Sequence, residues 1–172
     1  MRARISSIGA AGPAEQFGGA RDSWDRVAGR LDYVGGSFGG GIGALALAWD
    51  RRFRAAALRV PSFGNHPLRV TLPCTGSGES VRQYIAAHRD GDVLGVLAYF
   101  DAASAARWLT TPTLCECALF DPAVPPPGQF AVHNELAGPR ELVVRQAGHF
   151  DYAEQAADDA AFTERAAAWF ED

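Results

Sequence analysis

The sequence predicts an α/β domain with a mostly parallel sheet of about four strands flanked by helices. Short apolar runs of strand length alternate with longer, alanine-rich segments of helical pattern along most of the 172 residues. The connecting segments are long enough for helical crossovers, which neighbouring parallel strands require. The last run leads into an amphipathic pattern that suits a terminal helix packed on the sheet. The predicted strands are Arg30–Val34, Phe53–Val60, Thr113–Phe120 and Glu141–Arg145.

A glycine-dense turn joins the first strand to the first helix in the stretch LDYVGGSFGGGIGALALAWD at 31–50. The helix is predicted over Gly39–Trp49 and is apolar on nearly all sides, which indicates that it packs against the sheet. Its glycines permit a close approach to a neighbouring strand. The next strand is stopped by Pro61, and its continuous apolar character is typical of a buried parallel strand.

The remaining segments are assigned from periodicity, prolines and glycines. Residues 1–29 are interpreted as an irregular N-terminal lead-in and residues 30–172 as the folded domain. Within that domain, residues 62–92 are interpreted as an excursion over the sheet that resembles a cap. The other predicted helices are Arg21–Ala28, Glu79–Ala87, Val93–Trp108 with a break near Asp101, Gly128–Leu136 opened by prolines, and Tyr152–Phe170.

Composition favours a soluble globular domain over several other classes. With 48% hydrophobic and 21% charged residues the chain has enough apolar side chains for one core. All 16 basic residues are arginine and 20 residues are acidic, so the formal net charge of −4 argues against a nucleic-acid partner.

The cysteine and hydropathy patterns predict neither a metal site nor a membrane segment. Cys74, Cys115 and Cys117 lack the spacing of a zinc site, so we expect buried thiols and no metal or cofactor. No apolar run approaches the length of a membrane span, and the N-terminus lacks the pattern of a signal peptide. These observations together predict a cytoplasmic protein without a membrane partner.

Ser37 is the candidate nucleophile. It lies in the pattern Gly35-Gly36-Ser37-Phe38-Gly39, between a predicted strand and a predicted helix. A G-x-S-x-G sequence in that context is typical of a nucleophile elbow. The turn is so tight that its neighbours must lack bulky side chains.

Asp121 and His149 are the candidate partners of Ser37, because each also follows a predicted strand. The carboxyl ends of parallel strands meet at one rim, where ligands and catalytic groups collect. The chain order serine, acid, histidine is that of the α/β-hydrolase fold. In such a triad the histidine accepts the serine proton and the acid orients the imidazole.

Asp151 remains an alternative acid, since it lies two residues after His149. The other histidines fit the role of base less well. His66 falls in the excursion, and His88 and His133 fall in helical patterns, where surface or core roles are more common.

Several motifs carry a resemblance to a known family. They are GGSFGGG at 35–41, VPSF at 60–63, LAYFD at 97–101, ALFDPAVPPP at 118–127, NELAGPREL at 134–142, and the histidine at 149. On these motifs the chain resembles the C-terminal half of the acetyl xylan esterase and cephalosporin-C deacetylase family of α/β-hydrolases. The resemblance implies a partial α/β-hydrolase fold and a serine-dependent carboxylesterase without a cofactor. The implied substrates are acetylated carbohydrates or similar small acetyl esters.

The resemblance also implies roles for individual residues. Ser37 would be the nucleophile, Asp121 the acid and His149 the base, and the backbone N–H of Phe38 would be one oxyanion donor. The sequence departs from the family at Phe38, where glutamine is usual. It also departs after the histidine, where Phe150–Tyr152 replace a small or acidic residue.

A further departure concerns the family's N-terminal half, which carries the first strands and the loop that donates the second oxyanion N–H. Residues 1–29 contain no pattern for those strands. We therefore expect an exposed strand edge, a feature that favours pairing with another chain. The alternative function is a weakly active or inactive hydrolase-like module that is stable only as a homo-oligomer or with a complementing N-terminal half.

Overall fold

The computed structural model describes residues 31–88 and 91–171. The interpretations of residues 1–29, the helix at 21–28 and the strand start at Arg30 lie outside these residues. The strands are β1 Leu31–Gly36, β2 Phe53–Arg59, β3 Thr113–Phe120 and β4 Arg140–Ala147. The helices of the described residues are α1 Phe38–Leu47, α2 His66–Arg69, α3 Ser77–Ala87, α4 Val93–Ala98, α5 Ala102–Ala106, α6 Pro126–Glu135 and α7 Gln155–Trp169.

The four strands form one parallel sheet in the order β1-β2-β3-β4. The register places Gly35 opposite Leu58, Leu58 opposite Cys115, and Cys115 opposite Leu142. Helical segments connect successive strands, as parallel neighbours require. The prediction of an α/β domain with a parallel sheet of about four strands flanked by helices is therefore confirmed.

One face of the sheet is covered by α1, α5 and α6. Their apolar residues, among them Leu47, Ala106 and Val132, pack with Leu58 and Cys115 of the sheet in the larger core cluster. Small residues let α1 lie close to the strands. A Cβ at Gly41 would press against the Ser62 carbonyl and lie 2.5 Å from the Phe63 ring.

Of the described helices that pack against the core, only α7 covers the opposite face of the sheet. Phe162 and Ala166 of α7 pack against Ala57 and Leu114. Because this helix starts beside the carboxyl end of the sheet, its first turn borders the rim where the candidate residues lie.

Exposed apolar side chains lie on β1 and on the helix that follows it. Among the described strands β1 pairs only with β2, and Val34 is 51% exposed. Phe38, Ile42 and Trp49 of the adjoining helix and its C-terminal turn are also exposed. Their spacing puts Phe38 and Ile42 one turn apart on the same helix face. We call these four residues the β1-edge surface.

Several element boundaries differ from the sequence-based predictions. The predicted break near Asp101 is confirmed, because the segment 93–108 divides into α4 and α5, but the second helix ends at Ala106. The Asp101 carboxylate accepts the Ser104 N–H at 2.9 Å and caps this second helix. Residues 62–88 contain α2 in addition to the predicted helix. The terminal helix begins at Gln155 rather than Tyr152, since residues 148–154 form the loop that carries His149. None of the described helices is long and apolar enough to cross a membrane.

Candidate active site

Ser37 lies on a strained turn between β1 and α1. Its backbone has φ 53° and ψ −115°, a conformation that costs a non-glycine residue about 1–3 kcal/mol. The turn is held by hydrogen bonds from the Ser37 N–H to the Arg59 carbonyl (2.8 Å) and from the Ser62 N–H to the Ser37 carbonyl (3.0 Å). A Cβ at Gly35 would lie 2.6 Å from the Gly39 carbonyl oxygen, so the tight turn requires glycine there.

The three candidate residues meet at the carboxyl rim of the sheet. His149 Nε2 lies 2.8 Å from Ser37 Oγ, and His149 Nδ1 lies 2.8 Å from Asp121 Oδ2. Ser37 follows β1, Asp121 follows β3 and His149 follows β4. The parallel sheet thus brings together three residues that are far apart in sequence.

The environment of Asp121 fixes the orientation of the imidazole. The carboxylate side chain is fully buried. It accepts the N–H groups of Ala123 (2.9 Å) and Val124 (3.0 Å) on Oδ1 and the Gln129 Nε2–H on Oδ2 (3.0 Å). Because Asp121 acts as the acceptor in all of these hydrogen bonds, the imidazole proton of His149 is assigned to Nδ1. Nε2 of His149 then accepts a hydrogen bond from the Ser37 hydroxyl.

Gln129 is a site residue that the sequence analysis missed. It is fully buried on α6, and its amide also donates to the Val124 carbonyl (2.7 Å) and accepts the Ala118 N–H (2.8 Å). Gln129 therefore fixes both the Asp121 side chain and the turn that follows β3. A polar glutamine near the start of a helix that begins with prolines is not expected to be buried, so the sequence pattern does not indicate this role.

The alternative candidates lie elsewhere. Asp151 is exposed beside His149, and no hydrogen bond joins the two side chains. His66 is buried, and desolvation lowers its pKa below the ordinary value, although the nearby Asp101 charge opposes that shift. His88 and His133 have neighbours on their own helices, 2.9 Å to the Tyr84 carbonyl and 3.2 Å to the Asn134 side chain respectively.

Phe38 begins α1 directly after Ser37. Its backbone N–H has no backbone acceptor within residues 31–88 and 91–171, as is usual for the first residue of a helix. An unpaired amide at a helix N-terminus is suited to binding an oxyanion. The Phe38 ring is 62% exposed and contacts the Phe63 ring edge to face, with centroids 5.1 Å apart.

A cavity of about 350 Å³ adjoins Ser37 and His149. Its walls come from the ends of the strands, the loop after β4 and the first turn of α7. Polar side chains and two aromatic rings line it: Arg59, Arg145, Phe150, Asp151, Tyr152, Gln155 and Asp159.

Three charged residues that line this cavity form, with the buried Glu116, what we call the arginine–carboxylate cluster: Arg59, Arg145, Asp159 and Glu116. Arg59 donates to Glu116 (2.8 Å) and Asp159 (2.5 Å), and Arg145 Nη1 lies 3.3 Å from both carboxylates. Burial opposes the charge of each arginine, but hydrogen bonds and nearby carboxylates raise the pKa of both above the ordinary value. The hydrogen bond from Arg59 lowers the pKa of Asp159. The sequence analysis assigned no role to these residues.

Comparison with known proteins identifies the family of the chain. The family model for acetyl xylan esterase (AXE1) matches residues 21–167. The acetyl xylan esterase from Paenibacillus sp. R4 is 25% identical with a TM-score of 0.68, over 83% of this chain and 50% of that chain. Acetyl xylan esterase 1 from Thermoanaerobacterium sp. JW/SL YS485 is 19% identical with a TM-score of 0.67, over 84% and 46%.

A more distant likeness extends to the α/β hydrolase GrgF from Penicillium sp. sh18, at 17% identity and a TM-score of 0.57, over 88% of this chain and 69% of that chain. No curated protein sequence matches. The chain spans about half the length of the two acetyl xylan esterases. Since the family model matches most of the chain, the protein belongs to the acetyl xylan esterase family, and its sheet is part of an α/β-hydrolase fold.

Proposed function

We propose that this chain carries the catalytic residues of a serine-dependent carboxylic ester hydrolase that removes acetyl groups from sugars or similar small esters. One observation carries the proposal. The hydrogen-bonded series from Ser37 Oγ through His149 to Asp121 has both links at 2.8 Å, which is within the range that proton transfer requires.

The proposed reaction begins with attack of Ser37 Oγ on the ester carbonyl while His149 Nε2 accepts the hydroxyl proton. The amide N–H of Phe38 then donates a hydrogen bond to the oxyanion. When the intermediate collapses, His149 gives its proton to the departing alcohol, and the acetyl group stays on Ser37. Water, deprotonated by His149, hydrolyses this acyl-enzyme to acetate and restores the serine.

Asp121 supports both steps by holding the Nδ1–H tautomer and stabilising the imidazolium that forms. Gln129 assists indirectly, since it donates to Asp121 Oδ2 at 3.0 Å and is itself fully buried. A carboxylate fixed by this many donors needs little reorganisation when the neighbouring charge develops.

Family membership and the cavity support an acetylated carbohydrate as the substrate class. The walls beside Ser37 combine arginine, carboxylate and amide groups with the rings of Phe150 and Tyr152. Hydroxyl groups of a sugar would find donors and acceptors there, and the rings offer apolar surface to a sugar face.

The proposal is tested by initial rates with p-nitrophenyl acetate and with an acetylated xylo-oligosaccharide. Wild type should hydrolyse both, and the Ser37→Ala variant should lose nearly all of this activity, keeping only the residual rate that binding and the oxyanion donor supply. Arg107→Met serves as the control because Arg107 forms an exposed ion pair with Glu135 and does not line the cavity. Equal rates for wild type and Ser37→Ala would refute the proposal.

The second candidate, a hydrolase-like module that needs a partner, is favoured by the β1-edge surface. Val34, Phe38, Ile42 and Trp49 would be covered if another chain or segment packed along β1. Such a partner would also be the source of a second oxyanion donor, whose loss costs roughly 10²–10³ in turnover. Activity that rises more steeply than protein concentration, with an oligomer in light scattering, would favour this candidate. A monomer with concentration-independent specific activity would exclude it.

A further inference from the structure

We propose that Arg145 and Tyr152 are positioning residues for His149, anchored through the arginine–carboxylate cluster that also supports the Ser37 turn. This inference rests on the proposed function, because positioning matters only if His149 serves as the base for Ser37. Arg145 and Tyr152 lie outside the triad and would act by holding the imidazole of His149 in place.

The loop that carries His149 needs support from outside its own backbone. His149 has φ 57°, in the left-handed region that non-glycine residues rarely adopt. The loop is tied to β3 by the hydrogen bond from the Gly148 N–H to the Phe120 carbonyl (2.8 Å). Beyond His149, Phe150 and Asp151 are both exposed. The next side chain with firm partners is Tyr152.

The Tyr152 hydroxyl is fully hydrogen-bonded. It accepts from Arg145 Nε (3.0 Å) and Nη2 (2.6 Å), and it donates to Asp158 Oδ2 (2.7 Å). A hydroxyl has one donor and two acceptor positions, so all of its capacity is used. Tyr152 therefore fixes the loop three residues after His149 to β4 and to the first turn of α7.

Arg145 is itself held rigidly. Its side chain is 9% exposed, and Nη1 lies 3.3 Å from both Glu116 and Asp159. Glu116 is only 1% exposed and pairs in addition with Arg59. A planar guanidinium with partners on three nitrogens has little freedom to turn, which makes Arg145 a firm anchor for the tyrosine.

The same cluster reaches the other side of the site. The carbonyl of Arg59 accepts the Ser37 N–H at 2.8 Å, and the Arg59 guanidinium binds Glu116 and Asp159. One set of carboxylates thus connects the strand end that supports Ser37 with the loop that carries His149. The geometry points to a shared support that sets the distance between Ser37 Oγ and His149 Nε2.

The test variant is Tyr152→Phe, which removes the hydroxyl and keeps the ring. We expect kcat for p-nitrophenyl acetate to fall about tenfold, because small misplacements of a catalytic group are costly. We expect KM to change less than about twofold. In NMR spectra the Nδ1–H resonance of His149 should weaken or shift as the imidazole loses its fixed orientation. Arg107→Met is the control, because it removes an exposed ion pair with Glu135 away from the cavity.

The outcomes separate positioning from the alternatives. A lowered kcat with an altered His149 resonance, absent in the control, supports the inference. An unchanged kcat and an unchanged resonance overturn it. A raised KM with kcat retained also overturns it, because the Tyr152 hydroxyl would then contact the substrate instead of positioning His149. If wild type is no faster than Ser37→Ala, the proposed function fails, and the His149 resonance alone decides whether Tyr152 positions the imidazole.

Discussion

Replacing Asp121 with asparagine should remove nearly all esterase activity, because the side chain accepts hydrogen bonds on both oxygens. Oδ1 accepts two backbone N–H groups, and Oδ2 accepts from Gln129 and His149. The NH₂ group of an asparagine must replace one of the two carboxylate oxygens, so it faces either the two backbone N–H groups or the Gln129 amide and His149. In either position the NH₂ group points at another hydrogen-bond donor. If it faces His149, the imidazole must carry its proton on Nε2, which can then no longer accept the proton of Ser37.

The size of the effect follows from that conflict. Loss of the correct imidazole tautomer lowers kcat by roughly 10⁴-fold in a serine-protease triad, and we expect a loss of the same order here. In either orientation the fully buried site contains an unpaired donor, which costs about 1–3 kcal/mol of stability. For a domain of this size that corresponds to a Tm decrease of about 2–4 °C per kcal/mol.

The assay compares kcat/KM and Tm for wild type, Asp121→Asn and Asp151→Asn. Asp151 lies in the same region but is exposed and has no hydrogen bond to His149. Its variant should therefore lose far less activity than Asp121→Asn and little stability. If Asp151→Asn loses activity and Asp121→Asn keeps it, the assignment of the acid is wrong.

Two further predictions concern stability. Gly41→Ala should destabilise the fold by about 1–3 kcal/mol in urea unfolding, because its Cβ would lie against the Ser62 carbonyl. Gly39→Ala should be neutral or stabilising in the same measurement, because the space around the added carbon is open. Equal effects of the two substitutions would contradict this prediction. Burial lowers the pKa of His66 below 6.5, so at pH values near and below 6.5 the unfolded chain binds a proton at this imidazole more readily than the folded chain does. The free energy of unfolding should therefore decrease as the pH drops through 6.5. The fall in urea midpoint between about pH 7.5 and about pH 5.5 should be smaller in His66→Gln, and an equal fall would count against burial of a neutral imidazole.

Much of the fold could be predicted from local sequence patterns. The glycines around Ser37 indicate a turn that only small residues permit, and the apolar segments on either side indicate a buried strand and helix. Asp121 and His149 follow apolar runs, and the rule that parallel strands end at one rim predicts their proximity to Ser37. These arguments need no knowledge of the side-chain packing.

The supporting contacts could not be predicted in this way. Arg59, Glu116 and Arg145 lie on three different strands, and their meeting depends on strand register, which apolar pattern alone does not fix. The start of the terminal helix was predicted three residues early at Tyr152 because its hydroxyl partners, Arg145 and Asp158, are not readable from helical periodicity.

The proposed chemistry depends on Ser37 being a nucleophile that His149 activates. The most direct measurement is labelling of the protein with a fluorophosphonate, followed by peptide mass spectrometry to locate the modified residue. This reagent forms its bond with an activated serine, so no turnover is needed. We expect a single label on Ser37 in wild type and a strongly reduced rate of labelling in His149→Ala. Absence of label from Ser37 in folded wild type, or an equal rate in the histidine variant, would contradict the claim.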